Sequence, residues 1–125
     1  MVFTVSSPMQ YAVAEYLKDP LPYLNLPAFY QTKRDRLFEG LKQTRFRPLP
    51  SPGTFFLLAD YSAISDVPEA EFAKWLTTEH GVAVIPIAAF YGKPDAPTSN
   101  RQMVRFCFAK QDATLDTALE RLQRV

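Results

Sequence analysis

Residues 103–108 read Met103-Val104-Arg105-Phe106-Cys107-Phe108, and the fold follows from this stretch. Side chains alternate along a strand, so Met103, Arg105 and Cys107 share one face while Val104, Phe106 and Phe108 share the other. The second face is wholly apolar, as a strand on a core requires. The first carries a guanidinium between a methionine and a cysteine. Moving toward the N-terminus, Val82 to Ile87 (VAVIPI) is a β-branched strand, and the loop Ala88 to Arg101, with Gly92, Pro94 and Pro97, separates the two. Thr54 to Tyr61 (TFFLLADY) is almost continuously apolar, the pattern of a strand covered on both faces. Phe46-Arg47-Pro48-Leu49 is a short fourth strand, closed by Pro50-Ser51-Pro52-Gly53.

Helical periodicity fills the intervals. Ser7-Pro8-Met9-Gln10 reads as a capping box with proline at the first helical position, opening a helix through YAVAEYLK that must stop before Asp19-Pro20-Leu21-Pro22. Asn25 caps a longer helix to about Thr44, with Leu26, Phe29, Tyr30, Leu37, Phe38 and Leu41 on the apolar side and Lys33, Arg34, Asp35 and Arg36 facing out. Asp66-Val67-Pro68-Glu69 is a second capping box, followed by Phe72, Trp75, Leu76 and Glu79 on one side. His80-Gly81 ends that helix, with glycine as the left-handed C-cap. Asp112 caps a closing helix through Leu115, Ala118, Leu119 and Leu122. The expected order is α-α-β-β-α-β-β-α: an α+β sandwich with helices packed on a small mixed or antiparallel sheet.

Composition narrows the function. The 125 residues carry 14 Lys+Arg and 13 Asp+Glu, a net charge of +1, which leaves no electrostatic footprint for nucleic acid or an anionic membrane. One cysteine and one histidine exclude an internal disulfide framework, Cys-rich zinc sites and all-His metal sites. Four glycines cannot make a GxGxxG or Walker A loop. No apolar run approaches the roughly 20 residues of a membrane span. At 47% apolar and 22% charged, the sequence reads as a soluble, cytoplasmic domain with a real core. Its 11 prolines are interleaved with periodic segments, which points to fixed turns rather than a linker.

Arg105 is the strongest local anomaly. A guanidinium in mid-strand cannot shed its proton, so it requires a planar anion. An internal ion pair with Asp60, on the neighbouring apolar strand, is one solution; a ligand carboxylate or phosphate is the other. Phe90 and Tyr91 leave the VAVIPI strand at a proline-rich loop and could either line a pocket or plug the sheet. Phe3 lies in an N-terminal apolar run with no evident partner in the chain. His80 suits a helix C-terminus and has no arranged nucleophile. Cys107 fits a packed core thiol. None of the six lysines (18, 33, 42, 74, 93, 110) lies in an apolar run of the kind a Schiff-base lysine needs.

Taken in order, these segments resemble a known family. Ser7-Pro8-Met9-Gln10 with YAVAEYL, the basic helix FYQTKRDRLFEGL, Pro52-Gly53 with TFFLLAD, Glu79-His80-Gly81 with VAVIP, Phe90-Tyr91, and Val104 to Lys110 (VRFCFAK) are similar to the C-terminal third of class I/II, fold-type I pyridoxal-phosphate aminotransferases. The branch is that of methionine aminotransferases and kynurenine–glutamine transaminases, and the likeness covers essentially the whole chain. It implies a homodimeric enzyme that moves an amino group from an amino acid to a 2-keto acid. It also implies that residues 1–25 end the large domain and residues 26–125 form the small domain. Arg105 then binds the substrate α-carboxylate, Phe90 and Tyr91 approach the substrate, and Phe3 reaches the neighbouring subunit's active site. The family's Schiff-base lysine, in a Ser-Lys motif, and its other pyridoxal 5'-phosphate ligands lie upstream of the residues matched here. This chain alone is therefore expected to be inactive and to bind no cofactor. The rival reading is a non-catalytic binding or dimerisation module that kept the small-domain fold.

Overall fold

Proline begins the helical part of the chain, because a helix's first turn has no use for the N–H that proline lacks. In the computed structural model, which describes residues 4–91 and 101–125, Pro8 stands in the first turn of α1 (Ser7–Tyr16). The start is held differently from a capping box. Ser6 is the N-cap with no side-chain cap bond, and Gln10 Nε2 donates to the Val5 carbonyl at 2.7 Å. Pro20 and Pro22 do not abolish helical structure either. Pro20 is the N-cap and Pro22 lies in the first turn of a short α2 (Leu21–Leu24), an element the sequence reading lacks. Asn25 joins α2 to α3 (Leu26–Leu41) in helical conformation, without a side-chain cap.

Four strands follow the change of period: β1 (Arg47–Pro48), β2 (Phe56–Asp60), β3 (Ile85–Pro86) and β4 (Met103–Cys107). Their order is β1-β2-β4-β3, and every pairing is antiparallel. Between β2 and β3 lies α4 (Glu69–His80), and α5 (Asp112–Leu122) closes the chain. With α2 added, this is the α+β order read from the sequence. The strand expected over 82–87 contracts to Ile85–Pro86, and Ile87–Phe90 coil into a 3-10 turn. Pro86 has no N–H for a ladder, and the Ala88 N–H is taken by the Glu69 carboxylate.

All three long helices of the C-terminal part lie on one face of the sheet. Leu37 and Leu41 of α3, Phe72 and Leu76 of α4, and Leu115 and Leu122 of α5 bury Leu57, Ala59, Val104 and Phe106. The opposite face of β2 and β4, with Phe56, Leu58, Asp60, Met103, Arg105 and Cys107, is only half-buried. The both-sided cover read from TFFLLADY is thus complete on one side alone. Phe72 is the centre of the packed side: its ring stacks on Tyr61 at 3.8 Å and meets Phe46 edge-on at 6.0 Å. Gly40 lets α3 and α5 close together, since a Cβ there would stand 2.3 Å from Leu119 Cδ1. Gly81 is the left-handed C-cap of α4, with φ 64°. In contrast, α1 has no buried residue: Tyr11 is 78% exposed, and Met9, Val13 and Tyr16 are exposed beside it.

Lys33 departs from the outward placement read for it. It is buried, and its Nζ donates to the Lys110 carbonyl at 2.8 Å and to Asp112 Oδ1 at 2.6 Å. The hydrogen bond and the charge of Lys33, followed by the more distant Arg36, hold the exposed Asp112 carboxyl below its ordinary value of 3.8. A carboxyl lowered by folding stabilises above its unfolded pKa, and the contribution disappears as pH falls through the folded value. We expect the stability difference between the chain and its Asp112→Asn variant to be constant above about pH 5 and to shrink as pH falls below the ordinary carboxylate range. Urea unfolding at stepped pH measures this, and a difference unchanged down to pH 2.5 would contradict it.

Among the described residues no helix is long and apolar enough to cross a membrane, and no group of three His, Cys, Asp or Glu side chains could hold a metal ion.

Candidate functional site

Arg105 sits at the middle of β4, opposite Leu58 on one side and Ile85 on the other. Strand alternation turns it to the half-buried face, as the sequence implies. Its guanidinium carbon lies 3.9 Å from the centroid of the Phe56 ring and 4.7 Å from that of Phe90. Aromatic faces attract a cation but leave its N–H groups free to donate. Arg105 Nε is buried and has no hydrogen-bond partner among the described residues.

The ion pair with Asp60 is not formed. Asp60 pairs in register with Met103, two residues along the ladder and diagonal to Arg105. Its Oδ1 turns back to accept the Ser62 N–H at 2.6 Å. No Asp or Glu among the described residues bridges to Arg105. The first of the two solutions open to the sequence is therefore absent from the fold.

Phe90 and Arg105 are brought together, with Phe90 59% exposed. Tyr91 follows in the chain but takes a different cation, with the Arg101 guanidinium carbon 4.5 Å from its ring centroid. Phe3 lies outside the described residues. His80 ends α4 with its ring edge-on to Trp75 at 4.6 Å, a packing role. Cys107 is half-buried on the Arg105 face. Lys18 and Lys42 pair with Glu15 and Glu39, each three residues away.

Sequence reading missed Glu69. Its spacing from Asp66 marks it as the reciprocal partner of a capping box, but Pro68 is the N-cap of α4. The Glu69 side chain is 2% exposed, and its carboxylate accepts three backbone N–H groups: Ala88 at Oε2, and Arg101 and Met103 at Oε1, 3.1 and 3.2 Å away. Nothing local in the sequence signals this, because its partners lie far along the chain. Tyr61 is near it, with its hydroxyl donating to the Val67 carbonyl at 2.8 Å. Burial, then the negative charges of Glu69 and Asp60, push the phenol well above its ordinary pKa, so it remains a donor.

A groove of about 550 Å³ runs between α5 and residues Gly81, Val82 and Ala83 and does not include Arg105. Among the described residues, Arg105 lies on a half-buried sheet face against the rings of Phe56 and Phe90.

A family model for aminotransferase class I and II matches residues 1–122. The chain belongs to the class I and II aminotransferases. It is 45% identical over its whole length to a methionine aminotransferase from Escherichia coli (strain K12), of which it spans 32%. It is 35% identical over 94% of its length to kynurenine–oxoglutarate transaminase 3 from Mus musculus, spanning 30% of that relative. The solved structure of YbdL from Escherichia coli, described as having a methionine aminotransferase function, superposes with a TM-score of 0.88 at 46% identity, covering 99% of this chain and 32% of that one. An N-succinyldiaminopimelate aminotransferase from Mycobacterium tuberculosis gives a TM-score of 0.85 at 37% identity, with 97% and 31% covered. The chain thus spans about a third of the length of these aminotransferases, and the α+β architecture described above is shared with them.

Proposed function

We propose that this chain is the C-terminal part of a pyridoxal-phosphate-dependent aminotransferase and supplies the arginine that binds the α-carboxylate of the amino-acid substrate. One observation carries the reading: Arg105 presents a half-buried guanidinium, braced by Phe56 and Phe90, with no anionic partner among the described residues. A cation in such a place is completed by an anion from outside, and a carboxylate matches its fork in two parallel bonds. Held there, an amino acid or a 2-keto acid is fixed at one end, so that its α-carbon is presented in one orientation. The relatives' names, methionine aminotransferase and kynurenine–oxoglutarate transaminase, favour a donor with a sulfur-containing or aromatic side chain.

Pyridoxal 5'-phosphate is, in this proposal, held by residues outside the 125. Lys33 is bonded to Lys110 and Asp112, Lys18 and Lys42 are ion-paired, and Lys74 and Lys110 stand exposed, so the described lysines offer no amine beside Arg105. Residues 1–25 are assigned to the large domain and 26–125 to the small one. The wholly exposed α1 supports that boundary and argues against a free-standing module, which gains nothing from displaying Met9, Tyr11, Val13 and Tyr16 to water. Phe3 and this segment are assigned to the contact with the second subunit of a homodimer.

The test is to sequence the coding frame upstream of Met1. The expected result is an open frame continuing in phase, with a Ser-Lys motif a short way ahead, and a product that converts amino acids to keto acids. A stop codon immediately before Met1 would overturn the proposal in favour of a non-catalytic module.

A further inference from the structure

Glu69 is the most deeply buried charge among the described residues, and catalysis as proposed above makes no use of it. A buried carboxylate is costly unless its oxygens are satisfied. Among the described residues the satisfaction comes from backbone N–H groups. Ala88 donates to Oε2, and Arg101 and Met103 donate to Oε1 at 3.1 and 3.2 Å. These donors stand on both sides of residues 92–100, and the β3–β4 ladder has already stopped at the Pro86–Val104 pair. The carboxylate therefore bridges two lengths of chain at the point where strand pairing no longer can.

What those two lengths carry gives the bridge its meaning. Ala88 belongs to the 3-10 turn that ends at Phe90. Met103 opens β4 and precedes Arg105 by two residues. One carboxylate thus grips both arms, and at their ends the Phe90 ring meets the Arg105 guanidinium at 4.7 Å. Phe56, the other ring on Arg105, is held independently by β2. Phe90 is 59% exposed and stands outside the core formed by the described residues, so the turn beneath it is what positions its ring.

We propose that Glu69 is a positioning residue for the carboxylate site: it ties the Ile87–Phe90 turn to the start of β4 and so sets the Phe90 ring against Arg105. This rests on the function proposed above. Charge-assisted bonds to backbone N–H groups are short and directional, so they fix a turn better than apolar contact does. Replacement by Gln keeps the volume but turns one acceptor into a donor. At least one backbone N–H then faces an N–H, and the two arms separate.

The test is a double-mutant cycle in the complete enzyme, combining Glu69→Gln with Phe90→Ala. The readout is the competitive inhibition constant of 3-phenylpropanoate, a carboxylic acid with no amino group. Each single variant is expected to weaken inhibition about tenfold, and the double variant by about tenfold rather than the hundredfold that independent effects would give. KM for the amino donor should rise with the inhibition constant, while kcat moves less. Where Glu69→Gln fails to fold, Glu69→Asp, which keeps the charge and shortens the reach, is read in the same cycle. Independent effects in the cycle, or unchanged inhibition in the Glu69 variant, would overturn the positioning role. If Arg105→Ala also leaves inhibition unchanged, the carboxylate site itself falls, and the positioning role with it.

Discussion

On the proposed carboxylate role, replacing Arg105 by Ala in the complete enzyme is expected to lower kcat/KM for amino-acid donors by about 100-fold or more. Removing one partner of a desolvated, hydrogen-bonded charge pair costs about 2–5 kcal/mol, and about 2.7 kcal/mol already corresponds to a factor of 100. The loss falls on every amino donor and on the keto-acid acceptor, because the carboxylate is common to all of them. Arg105→Lys recovers only part of it, since an ammonium keeps the charge but loses the planar fork. Steady-state kinetics with two donors of different side chains checks both points. A fall of less than about tenfold, worth about 1.4 kcal/mol, would remove Arg105 from the carboxylate role.

Phe72→Ala carries the largest expected loss of stability. Its ring is fully buried, stacked within 4° of parallel on Tyr61 and edge-on to Phe46, and Trp75 packs at 5.4 Å. Truncating a buried Phe removes its transfer free energy and leaves a cavity, about 3–5 kcal/mol together. Domains of this size are stable by about 5–15 kcal/mol, so the variant forfeits a large fraction of the total. Denaturant unfolding should show a lower midpoint with an unchanged slope. A loss below about 1.5 kcal/mol would mean that the aromatic stack is not the centre of the core. Phe72→Leu, which fills more of the space, separates cavity formation from loss of ring contacts.

The two residues also mark how far the sequence could be read. Phe72 was visible as core from its spacing with Leu76, and Leu37, Leu41, Leu115 and Leu122 were found on the same periodic grounds. Gly81 was visible because a helix that ends in a left-handed turn asks for glycine. The caps expected at Ser7, Asp66 and Asp112 fall instead to Ser6, Pro68 and Gln111, and Asn25 stands at the N-cap of α3 as expected but without a side-chain bond, because backbone geometry begins these helices without side-chain help. Helical periodicity places Lys33 outward, because its partners, Lys110 and Asp112, lie at the far end of the chain. The same limit hid Glu69. Arg105 was conspicuous for the opposite reason: its strand is short enough for alternation alone to state its face. Whether an ion pair answered it depended on strand register, which set Asp60 against Met103 and left the guanidinium to the rings.

The orphaned Nε of Arg105 has a consequence for hydration. That N–H has already lost access to solvent in the folded chain and has no partner among the described residues, so its dehydration is complete before any anion meets the guanidinium. The desolvation penalty is charged to folding rather than to binding, which is what preorganisation means at a charged site. Such a position sets stability and recognition against each other. An apolar side chain of similar length at 105 would suit the half-buried sheet face better than the arginine does, and it would leave nothing for a carboxylate to hold.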